Sequence, residues 1–238
     1  LIFQYKAMIN FLKEVIKGMG YELNKRKYPK HYSAIYERYK EFTMTPLNHY
    51  LENLRIADKF VNSQKGDIVE CGVWRGGMSA GIAELLGDNR KYFLFDSYEG
   101  LPKAKEIDGD AAIKWQNNPK GNFFFDNCKA EMNFAQTAMT TTGCQFELIK
   151  GWFNETLPLF NHSDNIALLR LDGDWYESIY DSMKYLYPLV KKNGLIIVDD
   201  YYAWDGCSRA IHDYLSSISS LSRIKCSENG VCFIVKQD

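Results

Sequence analysis

The sequence predicts an α/β protein built on a mostly parallel sheet that is covered by helices on both faces. From about residue 67 onward, short apolar runs typical of buried strands alternate with segments of helical periodicity. Several of these runs end in glycine or aspartate, as strands do where they open onto a ligand crevice. Residues 222–238 hold two further apolar runs around Asn229-Gly230, which predicts a closing antiparallel hairpin.

Residues 1–62 are predicted to form an N-terminal helical cap. Four apolar residues near the start of the chain fall at helical spacing: Tyr5, Ile9, Leu12 and Ile16. A second helix is predicted to open at Thr45-Pro46, with Thr45 as its N-cap and Pro46 at its first position. The cap and the core at 63–238 together make one domain, a size that a chain of 238 residues supports.

The core is predicted to contain five parallel strands, at 67–73, 91–96, 145–151, 166–172 and 194–200. Helices are predicted at 78–87, 133–141, 180–190 and 207–218. Between the second and third strands lies a polar insertion at about 103–142, and long insertions of this kind often act as lids over a binding site.

Composition restricts the class of partner. Apolar residues make up 46% of the chain, which supports a packed core. A net charge of −1 gives no field to attract nucleic acid or an anionic membrane surface, and no apolar run is long enough for a membrane span. The six cysteines form no CxxC pair, so we expect free thiols in a reducing cytoplasm, although Cys226 and Cys232 could face each other across the hairpin.

Two predicted strands run into acids. "IALLRLD" ends at Asp172, and "GLIIVDD" ends at Asp199 and Asp200. Carboxylates that converge at one sheet edge repel one another unless a cation lies between them, and oxygen ligands suit Mg²⁺ or Ca²⁺. Helix capping is the alternative, but it accounts more readily for one acid than for three. Asp174 and Glu177 could stabilise the start of the next helix, and Asp174 could also accept a proton.

The first strand leads into a glycine-rich turn, "VECGVWRGG", which holds Gly72, Gly76 and Gly77. This is not a dinucleotide fingerprint, because Trp74 would block the close approach of a pyrophosphate. Asp96 ends the second strand, where an acid can accept hydrogen bonds from ribose hydroxyls. A nucleoside cofactor without a pyrophosphate matches S-adenosylmethionine. The alternative is that Asp96 only caps the turn "DSYEG".

These motifs together resemble the macrocin O-methyltransferase (TylF-like) family. The resemblance is carried by "TMTP", "GDIVECGVWRGGMS", "FLFDSYEGLP" and "LLRLDGDWYESIYDSMKYLYPLVKKNGLIIVDDY", and it extends from about Thr43 to Tyr214. Members are metal-dependent and S-adenosylmethionine-dependent enzymes that methylate sugar hydroxyls on antibiotics and related glycosides. The resemblance implies a class I methyltransferase (Rossmann-like) fold with a seven-stranded sheet whose last hairpin strand is antiparallel.

The resemblance also implies site residues. It places a metal ion, Mg²⁺ or another divalent cation, on Asp172, Asp199 and Asp200. On chemical grounds, Asp172 or Asp174 could receive the proton of the acceptor hydroxyl. Related catechol-type enzymes carry a lysine where this chain has Trp175, so the general base stays open. The residues implied to surround the cofactor are Met44, Thr45, Glu70, Gly72, Trp74, Arg75, Gly76, Gly77, Ser79, Asp96, Ser97, Gly151 and Trp152.

The expected activity is therefore O-methyl transfer to a sugar on a small-molecule glycoside or natural product, with a sugar nucleotide or a polysaccharide precursor as alternative acceptors. A metal-dependent hydrolase is a rival, but it leaves the glycine turn and Asp96 unexplained. A non-catalytic binding module would be favoured by an incomplete acid triad, and a nicotinamide dehydrogenase is disfavoured by Trp74. The aromatic N-terminal helices could bury themselves in a homodimer.

Overall fold

A computed structural model describes residues 28–121, 123–162 and 165–238. The helix predicted around Tyr5 to Ile16 lies outside the described residues. Within the described ranges, no helix combines the length and the hydrophobicity needed to cross a lipid bilayer.

The sheet has seven strands in the order β3-β2-β1-β4-β5-β7-β6, which confirms the predicted fold class. Strands β1 to β5 are parallel, and β7 pairs antiparallel with both β5 and β6. The strands are β1 (Asp67–Cys71), β2 (Lys91–Asp96), β3 (Gln145–Lys150), β4 (Ile166–Leu171), β5 (Val190–Val198), β6 (Ile224–Cys226) and β7 (Cys232–Val235).

Helices cover both faces of the sheet because successive strand residues point to opposite sides. Ile68 and Leu168 pack against one group of helices, whereas Val69 and Leu169 pack against the other. The first group is α1 (Lys30–Tyr39), α2 (Leu47–Val61), α3 (Gly77–Leu86) and α5 (Met132–Thr140). The second group is α7 (Tyr176–Leu186) and α8 (Asp205–Ser217), and two shorter helices, α4 (Asp110–Gln116) and α6 (Phe153–Thr156), lie beside the cleft described below.

The predicted N-cap at Thr45 is wrong. Helix α2 begins at Leu47, and Pro46 occupies the N-cap position with an extended ψ of 148° and no side-chain cap bond. The backbone N–H of Thr45 donates instead to Oγ1 of Thr43 at 3.1 Å, which closes a turn before the helix. Proline therefore precedes the first turn of the helix and is not part of it.

Strand β5 ends at Val198, so Asp199 and Asp200 lie beyond the strand in the loop that follows it. The hairpin prediction is confirmed, because Cys226 lies directly opposite Cys232 in the register of β6 and β7. All six cysteines are free thiols, as expected.

The insertion at 103–142 is tied to the core near its first residues. The buried carboxylate of Asp108 accepts hydrogen bonds from the backbone N–H groups of Lys105 and Tyr176, both at 2.7 Å. The bond to Tyr176 caps α7, which explains why that helix begins four residues before the predicted start at 180. A lid role for the remainder of the insertion stays a prediction.

The ends of β1 and β4 approach closely at Gly72. Its φ of +90° lies in the region that favours glycine, and a Cβ there would lie 1.8 Å from the carbonyl oxygen of Asp172. Only a residue without a side chain lets the two strand ends meet at this distance. The position of Asp172 therefore depends on the glycine opposite it.

We predict that Gly72→Ala destabilises the protein by several kcal/mol more than Gly143→Ala. Both residues have positive φ, so the backbone cost of about 1 kcal/mol is shared. A Cβ at Gly143 meets nothing within 4 Å, so the difference isolates the collision with Asp172. Urea unfolding of both variants measures it, and equal losses would contradict the close approach.

Candidate active site

A cleft of about 870 Å³ opens beyond the carboxyl ends of the parallel strands. Every predicted acid except Glu70 lies in its wall, because the loops that follow β2, β4 and β5 meet at this edge of the sheet. The acidic residues that line it are Asp96, Glu155, Asp172, Asp174, Glu177, Asp181, Asp199 and Asp200. Its volume falls within the range of ligand pockets, about 300–1,000 Å³.

Asp96 is held in place by three backbone N–H groups. Oδ2 accepts from Val73 at 2.7 Å and Trp74 at 2.8 Å, and Oδ1 accepts from Tyr98 at 2.7 Å. Burial raises the pKa of the carboxyl group, and the three N–H groups act in the opposite direction. Asp96 therefore does cap the "DSYEG" turn, through the hydrogen bond that it accepts from the N–H of Tyr98. Asp96 nonetheless lines the cleft, where it can accept further hydrogen bonds.

Eight of the thirteen residues implied to surround the cofactor line this cleft. They are Met44, Thr45, Gly72, Trp74, Asp96, Ser97, Gly151 and Trp152. They come from four separate parts of the chain, and the strand order of the sheet brings them to one edge.

The other five implied residues lie behind the wall. Burial raises the pKa of Glu70 to about 7, and its carboxylate accepts hydrogen bonds from Ser79 and Arg170. The guanidinium of Arg75 stacks on Trp74, 4.4 Å from the ring centroid. The two glycines pack against neighbouring backbone: Gly76 lies beside Ala135, and Gly77 beside Phe42. None of these five residues lines the cleft, so their contact with the cofactor stays a prediction.

Three carboxylates converge in the cleft. Asp172, Asp174 and Asp200 each offer an oxygen atom, and these atoms lie within 4.8 Å of one another. Burial, together with the charge of Asp172, raises the pKa of Asp174 to about 8. Burial, reinforced by Asp174 and Asp172, raises the pKa of Asp200 well above its usual range. Oδ2 of Asp200 is buried and has no hydrogen-bond partner among the described residues.

The arrangement fits a divalent cation. An unpartnered buried carboxylate oxygen and mutually repelling acids are both relieved by a positive ion, and an all-oxygen donor set suits Mg²⁺. The structure groups Asp174 with Asp172 and Asp200, whereas the resemblance implies Asp199 in that position. Asp199 lies beside the cluster, and one of its oxygens is engaged by Arg170.

Arg170 is the cation beneath this cluster, and the sequence analysis missed it. Its side chain on β4 is 1% exposed and forms ion pairs with Glu70 at 2.5 Å, Asp172 at 2.7 Å and Asp199 at 2.5 Å. Its Nε also donates to Oδ1 of Asn53 at 3.3 Å. The signal that could have found it is an arginine inside an otherwise apolar strand, "ALLRLD".

Tryptophan side chains form one side of the cleft. Nε1 of Trp204 donates to Oδ1 of Asp174 at 2.8 Å. The ring of Trp204 lies edge-on to the rings of Trp175 and Trp115, with centroid distances of 5.2 Å and 5.9 Å. Tyr201 instead hydrogen-bonds to His212 on α8, and Tyr202 is largely exposed. Of the aromatic residues that follow the Asp pair, Trp204 therefore belongs to the cleft.

Comparison with known proteins identifies related chains. A family model for the macrocin-O-methyltransferases (TylF) matches residues 9–224. The chain is 36% identical over 172 residues to demethyldecarbamoylnovobiocin O-methyltransferase from Streptomyces niveus. It is 34% identical over 174 residues to 8-demethyl-8-(2,3-dimethoxy-alpha-L-rhamnosyl)-tetracenomycin-C 4'-O-methyltransferase from Streptomyces olivaceus. Each match covers 69% of this chain and 64% of the relative, so the chain spans less than two thirds of these relatives.

The fold of this chain is similar to that of a solved structure over most of both chains. The O-methyltransferase NovP superimposes with a TM-score of 0.69 at 28% sequence identity, and the match covers 83% of both chains.

We predict that Arg170→Met lowers the free energy of unfolding by about 3–5 kcal/mol, because three carboxylates lose their buried counter-charge. Arg170→Lys keeps the charge without the planar fork and should lose less. The matched control is Arg38→Met. Arg38 pairs with Glu84 through a side chain that is 58% exposed, so its loss should lower the free energy of unfolding by less than about 1 kcal/mol. Equal losses in urea unfolding would show that the buried pairs contribute nothing beyond a surface pair.

Proposed function

This chain belongs to the macrocin O-methyltransferase family, and we propose that it transfers a methyl group from S-adenosylmethionine to a hydroxyl of a sugar with the help of a divalent metal ion. One observation carries the proposal. The carboxylate cluster of Asp172, Asp174 and Asp200 shares a cleft with Asp96 and Gly72, so an ion and a nucleoside would lie side by side. A hydrolase would need only the first of these two features.

The cofactor is proposed to bind along the loops after β1, β2 and β3. Asp96 would accept the ribose hydroxyls, because three backbone N–H groups already hold its carboxylate in one orientation. Trp152 would lie against the adenine, and Met44 against the opposite side. S-adenosylmethionine supplies a methyl group on positively charged sulfur, and that sulfur keeps the bonding electron pair when the methyl moves to oxygen.

The ion is proposed to bind Asp172 and Asp200, with Asp199 as a further ligand. A divalent ion lowers the pKa of a hydroxyl that it coordinates, and a sugar hydroxyl is otherwise a poor nucleophile at neutral pH. Arg170 takes one oxygen from each of Asp172 and Asp199, which leaves their second oxygens for the ion. The ion pairs with Arg170 thus orient the carboxylates of Asp172 and Asp199.

Asp174 is the proposed proton acceptor. It lines the cleft beside Asp172 and Asp200 but makes no ion pair with Arg170, whereas Asp172 does. A carboxylate that is not neutralised by arginine accepts a proton more readily. The N–H of Trp204 holds one oxygen of Asp174, which leaves the other for the hydroxyl proton. With Asp174 as proton acceptor, this chain does not need a lysine at the position of Trp175. The indole N–H of Trp175 donates instead to the carbonyl oxygen of Pro102.

A sugar acceptor is supported by the relatives. The names of the two relatives describe O-methylation of demethyldecarbamoylnovobiocin and of a rhamnosyl-tetracenomycin, and the second name includes a sugar. The tryptophans of the cleft are consistent with such an acceptor, since aromatic rings pack against the C–H faces of sugars while hydroxyls reach polar groups.

We predict that S-adenosylhomocysteine binds both with Mg²⁺ and with EDTA, because the proposed cofactor residues are separate from the carboxylate cluster. Isothermal titration calorimetry tests this first. Absence of binding under both conditions would remove the methyltransferase proposal and favour the hydrolase.

The same instrument tests the ion site. Asp200→Asn should weaken Mg²⁺ binding by at least about tenfold and leave S-adenosylhomocysteine binding unchanged. Asp181→Asn is the control, because it removes an acid from the cleft wall outside the cluster and should keep Mg²⁺ binding. Equal Mg²⁺ affinities in the two variants would argue against the cluster as the ion site.

We further predict that Asp174→Asn lowers kcat by about 10²–10⁴-fold, the usual contribution of a general base, without weakening S-adenosylhomocysteine binding. Trp204→Phe keeps the ring packing but removes the hydrogen bond to Asp174, so it should lower kcat less. Mass spectrometry of methylated glycosides measures turnover. Full activity of Asp174→Asn would return the role of proton acceptor to Asp172.

A further inference from the structure

Two cysteines face each other across the hairpin that closes the sheet. Cys226 is the last residue of β6 and Cys232 is the first residue of β7, and the strand register makes them direct partners. Directly opposed residues of an antiparallel pair project their side chains from the same face, with Cβ atoms about 4.5–5.5 Å apart. The two thiols therefore lie on the same side of the hairpin.

The type of strand pair at this position suits a disulfide. The N–H of Ser227 donates to the carbonyl oxygen of Val231 at 2.9 Å, which makes these two residues the hydrogen-bonded pair beside the turn. Hydrogen-bonded and non-hydrogen-bonded pairs alternate along an antiparallel ladder. Cys226 and Cys232 therefore form a non-hydrogen-bonded pair, in which Cα atoms lie about 4.5 Å apart. Disulfides span Cα distances of about 4.4–6.8 Å, so an S–S bond can form here without moving the strands apart.

The two thiols also interact with each other and with Tyr202. A hydrogen bond with Cys226 raises the pKa of the Tyr202 hydroxyl. Burial raises the pKa of Cys232 to about 12, the neighbouring Cys226 adds to the rise, and a hydrogen bond with Tyr202 acts in the opposite direction. These contacts bring both sulfur atoms within reach of one phenol, in agreement with the strand register.

The two thiols differ in their exposure to solvent. Cys226 lies on the edge strand and is exposed, whereas Cys232 is 0% exposed and belongs to the apolar core on the side of α7 and α8. An oxidant in solvent therefore reaches Cys226 first, and Cys232 lies next to the sulfur that has been oxidised. An accessible thiol beside a second, resolving thiol is the arrangement typical of redox-sensitive sites.

We infer that Cys226 and Cys232 form a redox-active thiol pair, which peroxides or small disulfides convert into an intramolecular disulfide. The inference is independent of the methyltransferase proposal, because neither cysteine lines the cleft. Cys232 is nevertheless the register partner of Val198, the last residue of β5. The modification site therefore lies beside the loop that follows β5 and carries Asp199 and Asp200.

The oxidation balances with hydrogen peroxide as the oxidant. The thiolate of Cys226 attacks one peroxide oxygen, so the S–O bond forms as the O–O bond breaks, and hydroxide leaves and takes up the thiol proton as water. The sulfur of Cys232 then attacks the sulfenic sulfur, so the S–S bond forms and the S–O bond breaks. The departing hydroxide takes the proton of Cys232 as a second water. Two thiols are oxidised, and one peroxide is reduced to two molecules of water.

Peptide mapping of the full chain tests the inference. Trypsin cuts after Lys225 and Lys236, so both cysteines lie on one peptide, 226–236. The folded chain is treated with a stoichiometric amount of peroxide, alkylated and digested. We expect this peptide to remain unalkylated and to be lighter than its dithiol form by two hydrogen atoms, while the free thiols of the chain fall from six to four. Recovery of the peptide with both cysteines alkylated, or with Cys226 oxidised to a sulfinic acid, would overturn the inference.

A shift of the thiol by one residue is the matched control. Cys226→Ser combined with Lys225→Cys keeps six cysteines, and both cysteines of interest still lie on one tryptic peptide, 224–236. Both substituted positions are exposed, so the core is unchanged. Because neighbouring strand residues point to opposite faces, the shifted thiol lies on the face away from Cys232, and we expect no disulfide in the folded variant. Equal disulfide formation in the variant and in the unchanged chain would refute the role of the register.

Comparison with the unfolded chain separates the register from closeness in sequence. In glutathione redox buffers, the equilibrium constant for disulfide formation should be at least about tenfold larger in the folded chain than in the same chain unfolded in urea. Thermodynamic linkage then requires oxidation to stabilise the folded chain by the same factor, about 1.4 kcal/mol for tenfold. Urea unfolding of the oxidised and reduced forms measures this stabilisation independently. Equal equilibrium constants in the two states would overturn the inference, because the hairpin would then contribute nothing to the reaction.

Discussion

The ion pairs of Arg170 are the interaction on which the candidate site depends. A guanidinium that is 1% exposed is costly to bury unless its charge and its donors are satisfied, and here three carboxylates and an asparagine satisfy them. Glu70 is its register partner on β1, and Asp172 follows Arg170 by two residues, just beyond the end of β4. The pairing of the two central strands therefore fixes the floor of the cleft.

The same cation engages two of the four aspartates at this end of the cleft and leaves the other two without an arginine partner. Asp172 and Asp199 are each tied downward by one oxygen, whereas Asp174 and Asp200 face the cleft without an arginine partner. Arg170 compensates the acids from beneath, and the carboxylates that face the cleft stay uncompensated. This arrangement is expected of a site that binds a positive ligand.

Two residues of the cleft wall also have a strained backbone. Trp74 and Asp174 both hold positive φ, at 50° and 55°, a region that residues other than glycine seldom adopt. Each also makes a hydrogen bond to another residue of the cleft wall: the N–H of Trp74 donates to Asp96, and the carboxylate of Asp174 accepts from Trp204. Strain that the surrounding contacts maintain in this way is typical of functional sites.

The amino-acid sequence by itself determined the parallel strands and the acids that follow them, because short apolar runs, their alternation with helical segments and terminal aspartates are local patterns. It could not place the cap of α2, where a turn closed by Thr43 overrides the usual preference for threonine. The role of Arg170 was decided only by the tertiary structure, since its partners lie 100 residues away at Glu70 and 29 residues away at Asp199. Charge compensation depends on distance in space, and the register of the sheet sets that distance.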